Sequence, residues 1–329
     1  IGNAGGVEAT ACHGLHGEAA VRVLARMSAG GRRRRARILA LSYATDEVLA
    51  HLPACRRAGV TTLCVGVDSL SRRAAAQIRR AGIQLRRGVE RARAHALHRD
   101  LQFASAHGRP WVTLKAAISL DGMMACANGA SQWITGEASR REGHRLRATH
   151  DAIAVGAGTV RADDPRLTVR HVRGKDPRIV IFDSALSLVG SASKFHALCP
   201  GTIVIHGGRA AKAARARAVD AGLVPVRVRT TRSGLPDVRD ALRHLAGLQV
   251  RSLMVEGGGA LLASFYQRGV WEEIQLFSAP KLLGGASRPL LPMLSWAAVD
   301  RAPALRVVER RVLGEDFLTV LAPSKSQDR

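Results

Sequence analysis

The sequence predicts a two-domain α/β protein, and three observations carry that expectation. Apolar, β-branched runs of four to eight residues alternate with longer helix-forming stretches along the whole chain, the pattern of layered α/β folds. The length of 329 residues fits about two domains at roughly 100–200 residues each. Gly108-Arg109-Pro110 punctuates the chain immediately before a strong apolar run, which places a domain boundary there. The expected division is 1–107, 108–323, and a frayed tail at 324–329.

Composition narrows the class. Hydrophobic residues make up 47% of the chain but aromatics only 4%, so Ala, Val and Leu must fill the cores. No run of about 18 uncharged apolar residues exists, so no membrane span is expected. Five cysteines at irregular spacing lack a disulfide framework, and the cytoplasm is the expected compartment. The formal net charge is +24. Residues 1–110 alone hold 19 Arg, no Lys and 7 acids. Such a surface attracts phosphates, nucleic acid included. The arginines are scattered rather than striped and stacking aromatics are scarce, so a nucleic-acid role is not expected.

In the first domain, a short strand around Val7–Cys12 precedes His16-Gly17-Glu18 and the helix-forming EAAVRVLARM. The densest basic run, Arg32–Arg35 with Arg37, reads as a solvated loop. Val60–Val67 is a buried strand by its β-branched content. Ser71–Ala81 and Val89–Ala106 read as helices around a short strand, Ile83–Leu85.

The second domain opens with Trp111–Ile118, an apolar run interrupted by Lys115 and broken by Ser119-Leu120-Asp121-Gly122. A lysine inside such a run is either snorkelling or working; Asp121 reads as a turn former. Gly136–His150 forms a helix carrying Arg140, Arg141, Arg145 and Arg147. Asp151–Val155 is a strand that opens into GAGTVRADDP. Gly156 and Gly158 suggest a dinucleotide loop, but Arg161 stands at the third glycine position and Pro165 stops a long helix. Backbone amides after that strand could still cradle a phosphate.

Strands are expected at Arg178–Phe182, Thr202–His206, Val224–Arg229 and Ser252–Val255, with helices at Ala210–Ala221 and Val238–Leu248. Glu256-Gly257-Gly258-Gly259 then precedes a helix near Ala260. That arrangement suits either phosphate cradling or a tight turn needing positive φ. Val270–Ser278 and Phe317–Leu321 read as late strands, antiparallel additions at the sheet edge.

The ordered motifs K-x-x-x-S-L-D-G, S-Q-W-I-T, L-R, and G-x-x-T-V-x-x-D-D-P-x-L-T-V-R, followed by RIVIFDS, MVEGGGALLASF and APKLLGG, resemble the reductase domain of the riboflavin-pathway deaminase–reductase family. The resemblance implies a dihydrofolate-reductase-like fold that holds NADPH across its strand ends. It implies reduction of the ribosyl group of 5-amino-6-(5-phosphoribosylamino)uracil to a ribityl chain, with a homo-oligomer expected. It marks Ala117, Trp133, Thr159, Asp163, Ser184 and the segment Gly258, Gly259, Ala260, Leu261, Leu262, Ala263, Ser264 as NADPH contacts. Ser131, Arg147, Leu167, Arg170 and Glu256 correspond to substrate contacts. Residue chemistry agrees in kind: Arg147 and Arg170 suit a phosphate clamp, Glu256 can accept from pyrimidine N–H donors, and Trp133 offers an aromatic wall. Lys115 and Asp163 are the candidates for proton handling.

Ahead of such a reductase, His16 and Glu18 resemble the opening of a zinc deaminase signature, in a cytidine-deaminase-like α/β/α domain truncated at its N-terminus. Cys55 could be one thiolate ligand. Asp46 stands where the other cysteine belongs, and two protein ligands rarely hold a catalytic zinc. A metal-free, degenerate deaminase domain is therefore expected. The alternatives are an intact bifunctional enzyme, a paralogue acting on a related pyrimidine in an azapteridine (toxoflavin-type) pathway, and a basic nucleic-acid-binding remnant.

Overall fold

The computed structural model describes residues 9–12, 38–44, 46–57, 60–68, 70–88, 98–292 and 294–324. The chain divides into two compact units, residues 1–102 and 103–329.

The first unit is built on a four-stranded, all-parallel sheet in the order β1 (Ala9–Cys12), β2 (Ile38–Ala44), β3 (Thr62–Asp68), β4 (Gln84–Arg87). Helices α1 (Leu52–Arg57) and α2 (Arg72–Arg80) accompany it. Helix α2 starts at Ser71, whose hydroxyl accepts the Ala74 amide at 3.1 Å, and it buries Ala74, Ala75 and Ile78 on one face. Val48, Cys55, Val60, Leu63, Val65, Ile78 and Ile83 form the core. Helix α3 runs from Arg99 to His107; of the helix expected over Val89–Ala106, residues 89–97 lie outside the described residues. His16, Glu18, the basic run at 32–37 and the tail 325–329 lie outside them too.

The second unit carries a nine-stranded sheet. Its strands in chain order are β5 (Trp111–Ser119), β7 (Ala152–Gly156), β8 (Arg178–Phe182), β9 (Ile203–His206), β10 (Val224–Arg227), β11 (Ser252–Glu256), β12 (Glu273–Ala279), β14 (Leu305–Leu313) and β15 (Asp316–Pro323). A separate two-stranded ribbon pairs β6 (Met123–Ala125) with β13 (Arg288–Pro289). The nine strands run spatially as β10-β9-β8-β7-β11-β5-β12-β15-β14. From β10 to β12 every pairing is parallel, and the last two are antiparallel.

Parallel strands covered on both faces read as continuous apolar runs, which is why Arg178–Phe182 is recognisable in the sequence. The period-two alternation of strand side chains splits those runs between two cores. Ala152, Ala154, Val180, Phe182, Leu253 and Val255 pack with helices α7 (Val238–Gly247) and α8 (Gly259–Gln267). Ile153, Val155, Ile179, Ile181 and Met254 face the other way, toward Val160 of α5 (Ala157–Asp163) and Ala214 and Ala218 of α6 (Lys212–Asp220).

Two expectations need correction. The strand expected over Val270–Ser278 begins at Glu273, is internal, and runs parallel to β5. The edge on that side is β14, for which the sequence gives no signal. Its alternation is masked because Arg306 to Arg310 are exposed on both faces.

Helix α4 (Glu137–Thr149) is tied at its start to β15. Asp316, buried on β15, accepts the Gly136 amide at 2.7 Å and the Ser139 hydroxyl at 2.6 Å. Gly136 brings no capping side chain of its own, and this remote carboxylate takes up its amide. The consequence is functional: α4 presents its later turns to the carboxyl ends of the central strands.

Candidate active site

A cleft of about 420 Å³ opens at the carboxyl ends of β5, β11 and β7. Its location follows from topology. Strand β11 lies between β5 and β7, and connections depart on both sides of it, a switch point where strand-end loops diverge.

Its floor is an ion-pair triad fixed by strand register. Lys115 of β5 stands beside Glu256 of β11 as a direct register partner. Lys115 Nζ donates to Glu256 Oε1 at 3.0 Å, while Arg147 of α4 donates through Nε and Nη2 to Oε2 at 3.0 and 2.9 Å. The third face of Arg147 is also engaged, Nη1 donating to the Thr168 carbonyl at 3.1 Å. Side-chain exposure is 13–17% for all three residues. Burial by itself would push the Glu256 carboxyl up, but the adjacent Lys115 and Arg147 charges pull it down to about 2. A slip of one residue between β5 and β11 would turn Lys115 or Glu256 to the opposite face and dissolve the triad.

The walls come from loops and from α4. Trp133 is 60% exposed with the Arg140 guanidinium 5.0 Å above its ring, and its carbonyl accepts Lys281 Nζ at 2.7 Å. Asp121 accepts from the Ser119 hydroxyl and from the Leu283 and Gly284 amides, so it joins two distant loops as a turn residue. Those bonds hold its carboxyl down to about 2. Asp163, the last residue of α5, lines the cleft, and its carboxyl forms no hydrogen bond or ion pair among the described residues. Burial pushes its carboxyl up. His144 is 6% exposed and accepts the Arg170 amide on Nδ1 at 3.2 Å.

Of the residues marked by sequence, Lys115, Ala117, Ser131, Trp133, Arg147, Thr159, Asp163, Leu167, Arg170 and Glu256 line this one cleft. The others do not. Ser184 lies past the end of β8, along the same carboxyl edge, with its carbonyl accepting the Gly207 amide. Gly258 to Ser264 form the start of α8, where Leu262 and Ala263 are buried in the core and Ser264 Oγ donates to the Ala260 carbonyl. That segment can meet a ligand through its first-turn amides rather than those side chains. Gly257 and Gly258 take φ of +84° and +72°, and a Cβ on Gly258 would sit 3.0 Å from Thr159 Oγ1. Both features of the glycine turn, positive φ and close approach, are therefore realised. His144, Arg166 and His171, which also line the cleft, were not singled out by sequence. The signal available was the His144–Arg147 spacing of three, which puts both on one helical face.

The NADPH implied by resemblance can be tested against these residues. No side chain caps the amides at the start of α8, whose N-cap is Gly258, and Thr159 Oγ1 stands beside that turn. Uncapped amides next to a hydroxyl at a strand end are donors suited to a diphosphate. The residues fit. For the first unit, Cys55 is 3% exposed in an apolar cluster, and burial pushes its thiol up. Among the described residues, no cluster of three or more His, Cys, Asp or Glu side chains is placed to share a metal ion.

Comparison with known proteins supplies the family. The profile described as RibD C-terminal domain matches residues 110–319. The riboflavin biosynthesis protein RibD of Bacillus amyloliquefaciens is 30% identical over 299 residues, covering 87% of this chain and 80% of that protein. The protein of the same name from Aquifex aeolicus is 32% identical over 289 residues, covering 84% and 78%. A solved diaminohydroxyphosphoribosylaminopyrimidine deaminase/5-amino-6-(5-phosphoribosylamino)uracil reductase from Thermotoga maritima superposes with a TM-score of 0.66 at 25% identity, covering 84% of this chain and 74% of that one.

Proposed function

The chain belongs to the RibD family of riboflavin-biosynthesis reductases, and from that premise we propose that it is an NADPH-dependent reductase of 5-amino-6-(5-phosphoribosylamino)uracil. The observation that carries the reading is the convergence of the Lys115–Glu256–Arg147 triad, the Trp133 wall and the Asp163 carboxyl on a single strand-end cleft.

The reaction opens the ribosyl ring to an imine at its first carbon, then adds a hydride to that carbon and a proton to the nitrogen. When bound, NADPH supplies the hydride. The first-turn amides of α8 and Thr159 Oγ1 would hold its diphosphate at the strand ends. Glu256 keeps Lys115 and Arg147 in place and presents its remaining lone pairs to pyrimidine N–H donors. Trp133, steadied by Arg140, closes one side against a planar ring and excludes water. Asp163 carries the proton for the imine nitrogen: its carboxyl is unpartnered among the described residues and burial favours its protonated form. Lys115, engaged by Glu256, orients rather than donates. Arg147 spends its donors on Glu256 and Thr168, so Arg170 and Arg166 at the cleft rim are the groups for the substrate phosphate. The first unit, in this reading, contributes no zinc chemistry.

Deuteride transfer tests the reaction. With NADPH deuterated at the nicotinamide C4 position, the product should gain one deuterium at the first carbon of its ribityl chain. A product without deuterium there would overturn the hydride step.

A further inference from the structure

Three residues on one face of α4 grip the segment 166–176. His144, Arg147 and Ala148 stand three and four positions apart, the spacing that stacks side chains along a helix. The Arg170 amide donates to His144 Nδ1 at 3.2 Å, and Arg147 Nη1 donates to the Thr168 carbonyl at 3.1 Å. Gly174 lies so close to the helix that a Cβ there would come within 2.4 Å of the Ala148 Cβ. The Val169 amide donates to Asp176 Oδ1 at 2.7 Å and closes the segment on itself. Leu167, buried with φ +55°, makes the turn that separates Arg166 from Thr168. The segment is basic and its Arg166 and Arg170 line the cleft, neither forming a salt bridge among the described residues.

We propose that His144 is a positioning residue for the substrate phosphate: its Nδ1 lone pair fixes the Arg170 backbone and thereby aims the Arg170 guanidinium at the cleft. The inference rests on the proposed reaction in taking the bound group to be a sugar phosphate. Because the Arg170 N–H is the donor, Nδ1 must carry the lone pair, and the ring proton sits on Nε2. Burial, together with the nearby Arg147, His171 and Arg170, holds His144 down to about 4, with Glu256 opposing. The lone pair therefore persists through the neutral range. His171 packs edge-on against the His144 ring at 4.6 Å and restricts its rotation. A mere core histidine would account for burial, but not for the choice of an amide on the residue that carries an uncommitted cleft-facing arginine.

The test uses the full chain and two probes, ribose 5-phosphate and uncharged ribose, titrated calorimetrically into the wild type, His144→Asn, His144→Gln and His144→Leu. An Asn side-chain oxygen stands near the position of Nδ1, whereas that of Gln reaches further, toward Nε2. His144→Asn should bind ribose 5-phosphate within about threefold of the wild type, while His144→Gln and His144→Leu should weaken it by about 10-fold, toward Arg170→Ala. Binding of ribose should change little in any variant. Should His144→Leu fail to fold, the Asn and Gln pair still decides. Wild-type affinity in His144→Gln, equal losses for ribose and ribose 5-phosphate, or a wild type that does not prefer ribose 5-phosphate would each overturn the assignment. A wild type that turns over no pyrimidine, yet binds ribose 5-phosphate in this His144-dependent way, sinks the proposed reaction alone. Turnover combined with His144-independent binding sinks the positioning role alone.

Discussion

Replacing Glu256 with Gln removes the one anion between Lys115 and Arg147. The contacts are 3.0 Å to Lys115 and 2.9–3.0 Å to Arg147, with the side chains 13–17% exposed. At such separations and an effective dielectric near 20, each pair attracts by about 5 kcal/mol before desolvation offsets most of it. Deleting one member of a buried network costs more than the network's net worth, because the partners are left charged and unpaired. That cost is about 3–5 kcal/mol. For a unit the size of residues 103–329 it lowers the melting temperature by about 6–20 °C. Circular dichroism melts at pH 7 provide the measurement, and Lys115→Met combined with Glu256→Gln should recover part of the loss by removing one stranded cation. The pH dependence has a defined sign. The depressed Glu256 carboxyl contributes full stability above the ordinary value of 4.5, and the contribution is lost as pH falls toward about 2. Glu256→Gln should therefore flatten the acid arm of the stability curve in that window. A Glu256→Gln protein within about 1 kcal/mol of the wild type, with an unchanged acid arm, would refute the triad as a structural and electrostatic unit.

Asp163→Asn should lower kcat by about 100-fold or more while the melting temperature at pH 7 holds or rises. The raised carboxyl makes its ionised form a cost to the fold at neutral pH, and Asn removes that cost; kcat within about threefold of wild type would return the proton to Lys115. Fluorescence titration should show NADPH bound about 10-fold or more tightly than NADH, through a contact of an arginine or backbone amides with the 2′-phosphate. Equal affinities would remove that contact. Metal analysis of protein purified without chelator should give well below one zinc per chain, whereas stoichiometric zinc with Asp46 or Cys64 as third ligand would restore a bifunctional enzyme.

The central strands were legible because burial on both faces leaves no polar alternation to interrupt them: Arg178–Phe182 in the sequence is the strand in the structure. Direction was not legible. Glu273–Ala279 carries the same apolar pattern whether it pairs parallel or antiparallel, and only its register with β5 decides. Leu305–Leu313 escaped because an exposed edge strand rich in Arg and Val has no buried face to impose a period. At the site, local motifs located Lys115, Glu256 and Arg147, which lie far apart in the chain, but could not show that they would engage one another. Lys115 and Arg147 both engage Glu256, a pairing that the separate motifs around them do not announce. Arg170 lies on an exposed loop that lines the cleft. His144 looked like one more residue of an arginine-rich helix, since its acceptor role depends on a loop 26 residues downstream.

The most direct test of the whole account is one turnover assay run in parallel on two substrates. The wild-type chain is supplied with NADPH and either 5-amino-6-(5-phosphoribosylamino)uracil or its undeaminated 2-amino precursor, following absorbance at the NADPH band together with ammonia release. The account predicts NADPH oxidation with the uracil compound and no ammonia from either. Ammonia from the precursor, or NADPH consumed with neither compound, would contradict it.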